Sequence, residues 1–299
     1  MDHTQSAEGG RELKPLPKFK YHAPSTVEEA LYLLATLDEA EPVAGGTDLV
    51  PLMRDAACSP SNLVDLNNVA ELNYVREDSG YICIGATATH AQVASSPIAA
   101  KAPALVDAVS GIGSPQVRNR ATIAGNLCNA SPAADSAPPL LVHEAEVAIR
   151  SLKGTRIIPL EELFAGPKLN TLEPDELVTE VRLPAPPEGA GSSFKRIGRR
   201  KAFTLSVVSA AAYVELSGGE ITEARLAFGS VAETPIRTRA VEELLRGKAL
   251  TGGLLDKAAE SVKAEVSPIT DVRGTAEYRR DMCGVLLRRA LAEAAERAR

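Results

Sequence analysis

Cysteine, histidine and aromatic residues are scarce in this chain, and tryptophan is missing altogether. Its 299 residues include four Cys, four His, six Tyr, five Phe and no Trp. The cysteines stand apart: Cys58 and Cys83 are the nearest pair, 25 positions from each other, followed by Cys128 and Cys283. This spacing offers no CxxC, no HExxH and no mixed Cys/His cluster. It argues against a zinc ribbon, a locally ligated iron–sulfur centre and a thioredoxin-type redox pair. Isolated thiols suit a reducing compartment, so the cytoplasm is the expected location. With only 4% aromatic residues the chain has little to stack on single-stranded nucleic acid. A basic excess is lacking too: 33 Lys and Arg against 39 Asp and Glu leave a net charge of −6, the wrong sign for a nucleic-acid binder. No apolar run approaches the ~18 residues of a membrane span, and the polar N-terminus has no apolar signal-peptide core.

What is present is an ordinary globular composition, 44% hydrophobic and 24% charged, with enough apolar material for real cores. The length suggests two or three domains. Residues 1–18 read as a mobile arm. From Phe19 the pattern is β-α-β to about residue 55: a strand at 19–22, a helix opened by a Ser25-x-x-Glu28 capping box with Val27, Ala30, Leu31 and Leu34 on one face, and a strand at 42–44. A mixed block follows over 56–183. It has strands near 63–66, 72–76, 81–85, 146–150, 156–158 and 177–183. A helix runs from Ser96-Pro97 to about Val109, loops occupy 112–135, and a short helix follows Pro138-Pro139. Prolines 184, 186 and 187 with Gly189 and Gly191 mark a linker over 184–192. The remainder, 193–299, reads as strands at 193–197, 204–216 and 221–231, then helices at 238–246, 252–264 and 275–297. The fold class is α+β, ending in a three-stranded sheet with helices.

Three features could carry chemistry. Gly45-Gly46-Thr47-Asp48 lets backbone amides approach an anion with no Cβ in the way, although a plain strand-to-helix turn would use glycine equally well. No G-x-x-x-x-G-K-[ST] motif occurs. Gly111-Ile112-Gly113 is followed by Gln116 where a dinucleotide fingerprint needs glycine, so neither a P-loop nor a Rossmann site is present. Thr122-Ile123-Ala124-Gly125-Asn126 with Ser131-Pro132-Ala133-Ala134-Asp135 is rich in small residues, hydroxyls and amides. That suits backbone-mediated binding, and it also suits a loop that satisfies itself. Lys195-Arg196 with Arg199-Arg200-Lys201 is a local basic run in an acidic chain, fit for an anionic cofactor or for solvent. His90 and His143 have no partner at ligand spacing, Asp65, Asp135 and Glu144 show no paired-carboxylate pattern, and Ser114 and Ser131 lack a hydrolase elbow.

Ala44-Gly45-Gly46-Thr47-Asp48-Leu49 with Pro51-Met53-Arg54, and Thr122 to Leu127 with Asn129 to Asp135, resemble the two flavin-binding motifs of one family: the FAD-binding medium subunit of molybdenum hydroxylases. Xanthine dehydrogenase, aldehyde oxidoreductases and carbon monoxide dehydrogenase use such a module. The resemblance spans about residues 17–290 and includes Phe194-Lys195-Arg196, Ser206–Leu216 and Thr234–Arg237. It implies a vanillyl-alcohol-oxidase-type (PCMH-like) module of two subdomains, 19–55 and 56–183, plus a C-terminal α+β domain. It implies FAD on this chain, with molybdopterin on a large partner subunit and a 2Fe–2S cluster on a small one, and electrons passing on to a soluble acceptor such as NAD or a quinone.

By position, Val43, Ala44, Gly45, Gly46, Thr47, Asp48 and Leu49 should wrap the pyrophosphate, and Thr122, Gly125 and Asn126 the phosphates and ribitol. Ile112 should pack on the cofactor, with Ala121 as neighbouring backbone. Ala134 and Asp135 should lie towards the adenosine, Asp135 accepting from a hydroxyl. Leu177 or Val178 should touch the ring, Lys195 should face its polar edge, and Cys128 should lie nearby without chemistry. No catalytic residue is implied. The chain lacks the cysteine-bearing loop that marks 4-hydroxybenzoyl-CoA reductase, which disfavours that subtype, and Ala124 stands where many relatives have Gly. A stand-alone FAD-dependent oxidoreductase of the same fold, or a non-catalytic binding protein, are the rival readings.

Overall fold

The computed structural model describes residues 15–200 and 203–298. The expected arm at 1–18 falls outside them except for 15–18, which form neither helix nor strand. The chain begins with β1 (Lys20–His22), α1 (Val27–Thr36), β2 (Ala40–Val43), α2 (Leu49–Arg54) and β3 (Asn62–Asp65). The strands form a parallel sheet in the order β1-β3-β2, with Lys20 and Ala40 both opposite Asn62. Helix α1 forms where expected because Val27, Ala30, Leu31 and Leu34 repeat at helical spacing and are all buried. Its cap sits one residue later than Ser25–Glu28. Thr26 Oγ1 accepts from Glu29 N at 3.1 Å, and the Glu29 carboxylate accepts from Ser25 N at 2.9 Å.

Next come β4 (Val75–Asp78), β5 (Tyr81–Gly85), α3 (His90–Ser95), α4 (Pro103–Gly111), α5 (Pro115–Arg118), α6 (Ile123–Cys128) and α7 (Ala137–Val142). They are followed by β6 (Glu146–Ser151), β7 (Gly154–Pro159), β8 (Phe164–Gly166), β9 (Leu169–Asn170) and β10 (Leu177–Pro184). An antiparallel sheet in the order β4-β5-β10-β6-β7 carries the short helices, and β8 pairs with β9 alone. The helix expected from Pro97 to Val109 begins only at Pro103, after a short 3-10 turn at Ala99–Lys101, and a further helix, α3, precedes it. Thr89 and Gln92 form a capping box that starts α3 early, and Pro103, not Pro97, occupies the first turn of α4. The loops expected at 112–135 contain α5 and α6, each held by a hydroxyl at its start: Ser114 Oγ accepts from Val117 N at 3.3 Å and Thr122 Oγ1 from Gly125 N at 3.1 Å. Pro138 and Pro139 lie inside the first turn of α7 instead of before it.

The last unit is an antiparallel sheet of four strands where three were expected: β11 (Ala190–Gly198), β12 (Ser206–Ser217), β13 (Glu220–Gly229) and the two-residue β14 (Ile236–Arg237). Helices α8 (Arg239–Leu245), α9 (Gly252–Ser261) and α10 (Ala276–Arg297) cover one face. Strand alternation sorts the side chains. Val208, Ala210, Ala212 and Val214 join the core beneath the helices, while Phe194, Ala211 and Tyr213 join the core of the preceding unit. The expected linker is shorter than 184–192, because β10 runs to Pro184 and β11 starts at Ala190. Gly191 is therefore a packing residue: a Cβ there would lie 2.0 Å from Ala294 O of α10. No described helix is long and apolar enough to cross a membrane.

Candidate functional site

The glycine loop and the second motif, about 75 residues apart in sequence, meet in space. A Cβ built on Gly45 would lie 2.0 Å from Arg120 O and 2.9 Å from Ala121 Cα, so only glycine lets β2 turn against this segment. Gly46 then adopts φ +68°, the left-handed region. Asn67 Nδ2 ties the loop from outside by donating to Ala44 O at 2.9 Å. Among the described residues the amides of Gly45, Gly46, Thr47 and Asp48 have no hydrogen-bond acceptor. Four successive free donors in a turn are a nest for an anion.

The second motif begins with the short helix α6, whose capped start is tied to the segment before α3. Thr89 and Thr122 form an isolated bridge, and Ile123 N donates to Ala88 O at 3.1 Å. Gly125 is exposed, and the nearest atom to an added Cβ would be Thr122 Oγ1 at 2.9 Å. Ala124 sits inside α6 with ordinary helical backbone, so its extra methyl is compatible with the turn. Ser136 Oγ donates to Asn126 Oδ1 at 2.6 Å. Two neighbours hold the end of the motif. Asn170 Nδ2 donates to Cys128 O at 2.7 Å, and Lys168 N to Ala130 O at 2.9 Å. Ser230 N of the last unit donates to Pro132 O at 2.7 Å. Burial pushes the Cys128 thiol up to about 12, with the Glu41 carboxylate adding to the effect. It is a protonated thiol at neutral pH, not a nucleophile.

Asp135 is buried at the end of this motif. Its Oδ2 accepts from Arg196 Nη1 at 2.9 Å and from Ser206 Oγ at 2.8 Å, while its Oδ1 has no partner among the described residues. Burial raises its carboxyl above the usual range, opposed by Ser206 and Arg196. Ile112, half-buried, follows the last residue of α4, and its carbonyl accepts from Arg118 Nη1 at 3.0 Å. Ala121 and Ala134 are buried backbone neighbours.

Three expected residues, Lys195, Leu177 and Val178, are not brought to this group. Lys195 lies opposite Ala210 on the helix-covered face of β11 and pairs with Glu293 of α10. Arg196, one residue on, takes the other face and reaches Asp135 and Gly111. Leu177 and Val178 are buried in the core at the start of β10, beneath α6. Of the rest of the basic run, Arg199 Nη1 donates to Val272 O at 3.1 Å and Arg200 Nε to Phe203 O at 2.7 Å, and Lys201 lies outside the described residues. Sequence reasoning named Arg196 in a strand and in the basic run, and Ser206 at the start of a strand, without pairing either with Asp135, and passed over Asn67 and Asn170. Only the parity of β11 could have singled out Arg196, and that parity depends on the register with β12. Among the described residues no three His, Cys, Asp or Glu side chains gather as a metal site.

Residues 17–186 match the FAD-binding domain of molybdopterin dehydrogenases, and residues 192–294 the C-terminal domain of carbon monoxide dehydrogenase flavoproteins. The carbon monoxide dehydrogenase medium chain of Afipia carboxidovorans is 36% identical over 283 residues, covering 94% of this chain and 98% of that protein. The xanthine dehydrogenase FAD-binding subunit of Escherichia coli O157:H7 is 34% identical over 277 residues, covering 92% and 95%. In structure, a chain of the Hydrogenophaga pseudoflava carbon monoxide dehydrogenase superposes with a TM-score of 0.91 at 35% identity, over 95% of this chain and 99% of that one. The chain belongs to the FAD-binding medium subunits of the molybdenum hydroxylases, the family of carbon monoxide dehydrogenase and xanthine dehydrogenase. It is a flavoprotein subunit of an oxidoreductase, with a PCMH-type FAD-binding part.

The residues present fit that cofactor. A diphosphate needs clustered donors that no side chain obstructs, and the Gly45–Asp48 amides supply them. A nucleoside hydroxyl needs a fixed acceptor, and Asp135 Oδ1 is a buried one without a donor.

Proposed function

We propose that this chain is the electron-transfer subunit of a cytoplasmic molybdopterin-dependent hydroxylase or dehydrogenase. It would dock a large molybdopterin subunit, where substrate is oxidised, and a small 2Fe–2S subunit. Bound FAD supplies the chemistry of taking electrons singly from an iron–sulfur partner and giving them to a soluble acceptor such as NAD or a quinone. The chain's own residues bind and orient. In this reading the amides from Val43 to Leu49 cradle the pyrophosphate, and Thr122, Gly125 and Asn126 meet the adjoining phosphate and ribitol. Ile112, Ala121 and Cys128 provide neutral walls, and Ala134 and Asp135 receive the adenosine side. The convergence of Gly45 on Arg120 and Ala121 carries the reading, because it joins both motifs into one cleft edge.

The test is to express the chain with and without its genomic neighbours. Flavin absorbance at one FAD per chain, co-purification with molybdopterin and 2Fe–2S subunits, and flavin bleaching by substrate only in the assembled complex are expected. Absence of FAD from the purified chain would sink the proposal. Substrate turnover by the isolated chain would replace it with a stand-alone oxidoreductase.

A further inference from the structure

We infer that Arg196 is a positioning residue of the FAD site, one guanidinium fixing three segments around the cleft and holding the Asp135 carboxylate in one orientation among them. The inference rests on the reading of this cleft as the FAD site. Arg196 Nη1 donates to Asp135 Oδ2 at 2.9 Å and to Thr204 O at 3.3 Å, and Nη2 donates to Gly111 O at 2.7 Å. Its three acceptors belong to different parts of the chain: the end of the second motif, the β11–β12 connection, and the residue directly before Ile112. Each part alone is a loop or helix end with no sheet to fix it. A planar fork with several donors sets their mutual distances, which a single ammonium cannot do.

The same contacts orient Asp135. Oδ2 is taken by Arg196 and Ser206, so the carboxylate cannot rotate without losing both, and Oδ1 stays unpartnered. The groups facing Asp135 are Arg196 from β11 and the hydroxyls of Ser206 and Ser209 from β12. Arg196 is the charge among them. With the cation removed, a carboxyl this deeply buried takes up a proton more readily and stops being a pure acceptor. Lys195 cannot substitute, because alternation along β11 turns it towards Glu293.

The test is FAD titration of the full apo chain, followed by flavin fluorescence quenching between about pH 5.5 and 8. Wild type should bind with an affinity that is flat over this range. Arg196→Met should bind roughly tenfold or more weakly at neutral pH and weaken further as pH falls. Arg196→Lys, which keeps the charge and loses the fork, should restore the flat profile and only part of the affinity. Arg239→Ala, at an exposed pair with Glu161, should bind as wild type does. Wild-type affinity in Arg196→Met overturns the inference. So does a pH-independent loss that Arg196→Lys fails to relieve, since that is what mere structural damage gives. Should the Met variant not fold, the Lys variant decides alone, and full wild-type affinity there is the overturning result. Failure of the wild-type chain to bind FAD overturns the reading of the cleft and the inference with it.

Discussion

Gly45 and Gly191 answer the same geometric demand in two regions of the molecule, with different consequences. At each, an added Cβ would lie 2.0 Å from a carbonyl oxygen, Arg120 O for Gly45 and Ala294 O for Gly191. Gly191 lets a long strand lie against a long helix between two cores. Gly45 lets one loop lie against another at the rim of a cleft. In the C-terminal unit the close approach is packing and its loss is a loss of fold. In the FAD-binding part the close approach arranges amides, and its loss is a loss of ligand. The two regions share a fold class but spend their glycines differently.

The sharpest test of that contrast is Gly191→Val. The clash is with backbone of the last turn of α10, where Ala294 and Ala298 are buried, so destabilisation of about 3 kcal/mol or more is expected in urea unfolding followed by far-ultraviolet circular dichroism. A variant as stable as wild type would break the comparison. Arg237→Met comes next. Arg237 is buried and forked onto Glu242 at 3.0 and 2.7 Å, and it also reaches Glu144 of the preceding unit at 3.1 Å. Removing it strands a buried carboxylate at a cost of about 3 kcal/mol. FAD affinity of the folded fraction should stay at the wild-type value, and a parallel loss of FAD would show that the two regions are coupled.

Gly45→Val should do the reverse, lowering FAD affinity by roughly tenfold to a hundredfold while costing the apo protein only about 1–2 kcal/mol, because a rim loop can shift where a helix cannot. Stoichiometric flavin after gel filtration would contradict it.

The buried histidines probe the same divide through pH. Burial holds His143 down to about 3 and His90 to about 4, with Arg225 and Arg118 respectively adding to it. The unfolded chain protonates both near their ordinary value of 6.5. Stability is therefore full above that pH and falls as the solution is acidified towards the folded values, by at most ~1.4 kcal/mol per pH unit for each histidine. His143 bridges the units through Ser192 Oγ at 3.0 Å and an edge-on contact with Tyr213, whereas His90 lies behind the second motif. His143→Phe should flatten the acid limb of stability against pH without changing FAD affinity, and an unchanged slope would count against it. The smallest effect belongs to Arg239→Ala. The pair with Glu161 also joins the two units, but both side chains are half exposed, so no more than about 0.5 kcal/mol should be lost.

Legibility followed the same divide. Strand β5 and helix α1 lie within a residue of their expected bounds, because alternation and helical spacing are strong local signals there. The C-terminal helices were also close, and Thr251 and Thr275 cap the starts of α9 and α10. Around the cleft the signal failed. Helices α5 and α6 have four and six residues, too short for periodicity, and exist because Ser114 and Thr122 satisfy their first amides. The start of α4 turned on which of two prolines began it, and local pattern favoured the wrong one, while the Thr89 cap of α3 went unread. Strand β14, two residues held by β13, has no pattern at all.

By itself the sequence determined the material of the site: glycine at 45 and 46, where L-residues are strained or too large, small and hydroxylated residues from 122 to 135, and no closely spaced cysteines. These are properties of residue type and near spacing, so they can be read in one dimension. Tertiary structure decided the rest: that Gly45 abuts Arg120, that Asp135 keeps one oxygen free, and that Arg196 and not Lys195 stands at the cleft. Each of those depends on register or on contacts between segments distant in sequence. Shifting β11 by one residue against β12 would exchange the two cations while leaving every local propensity unchanged.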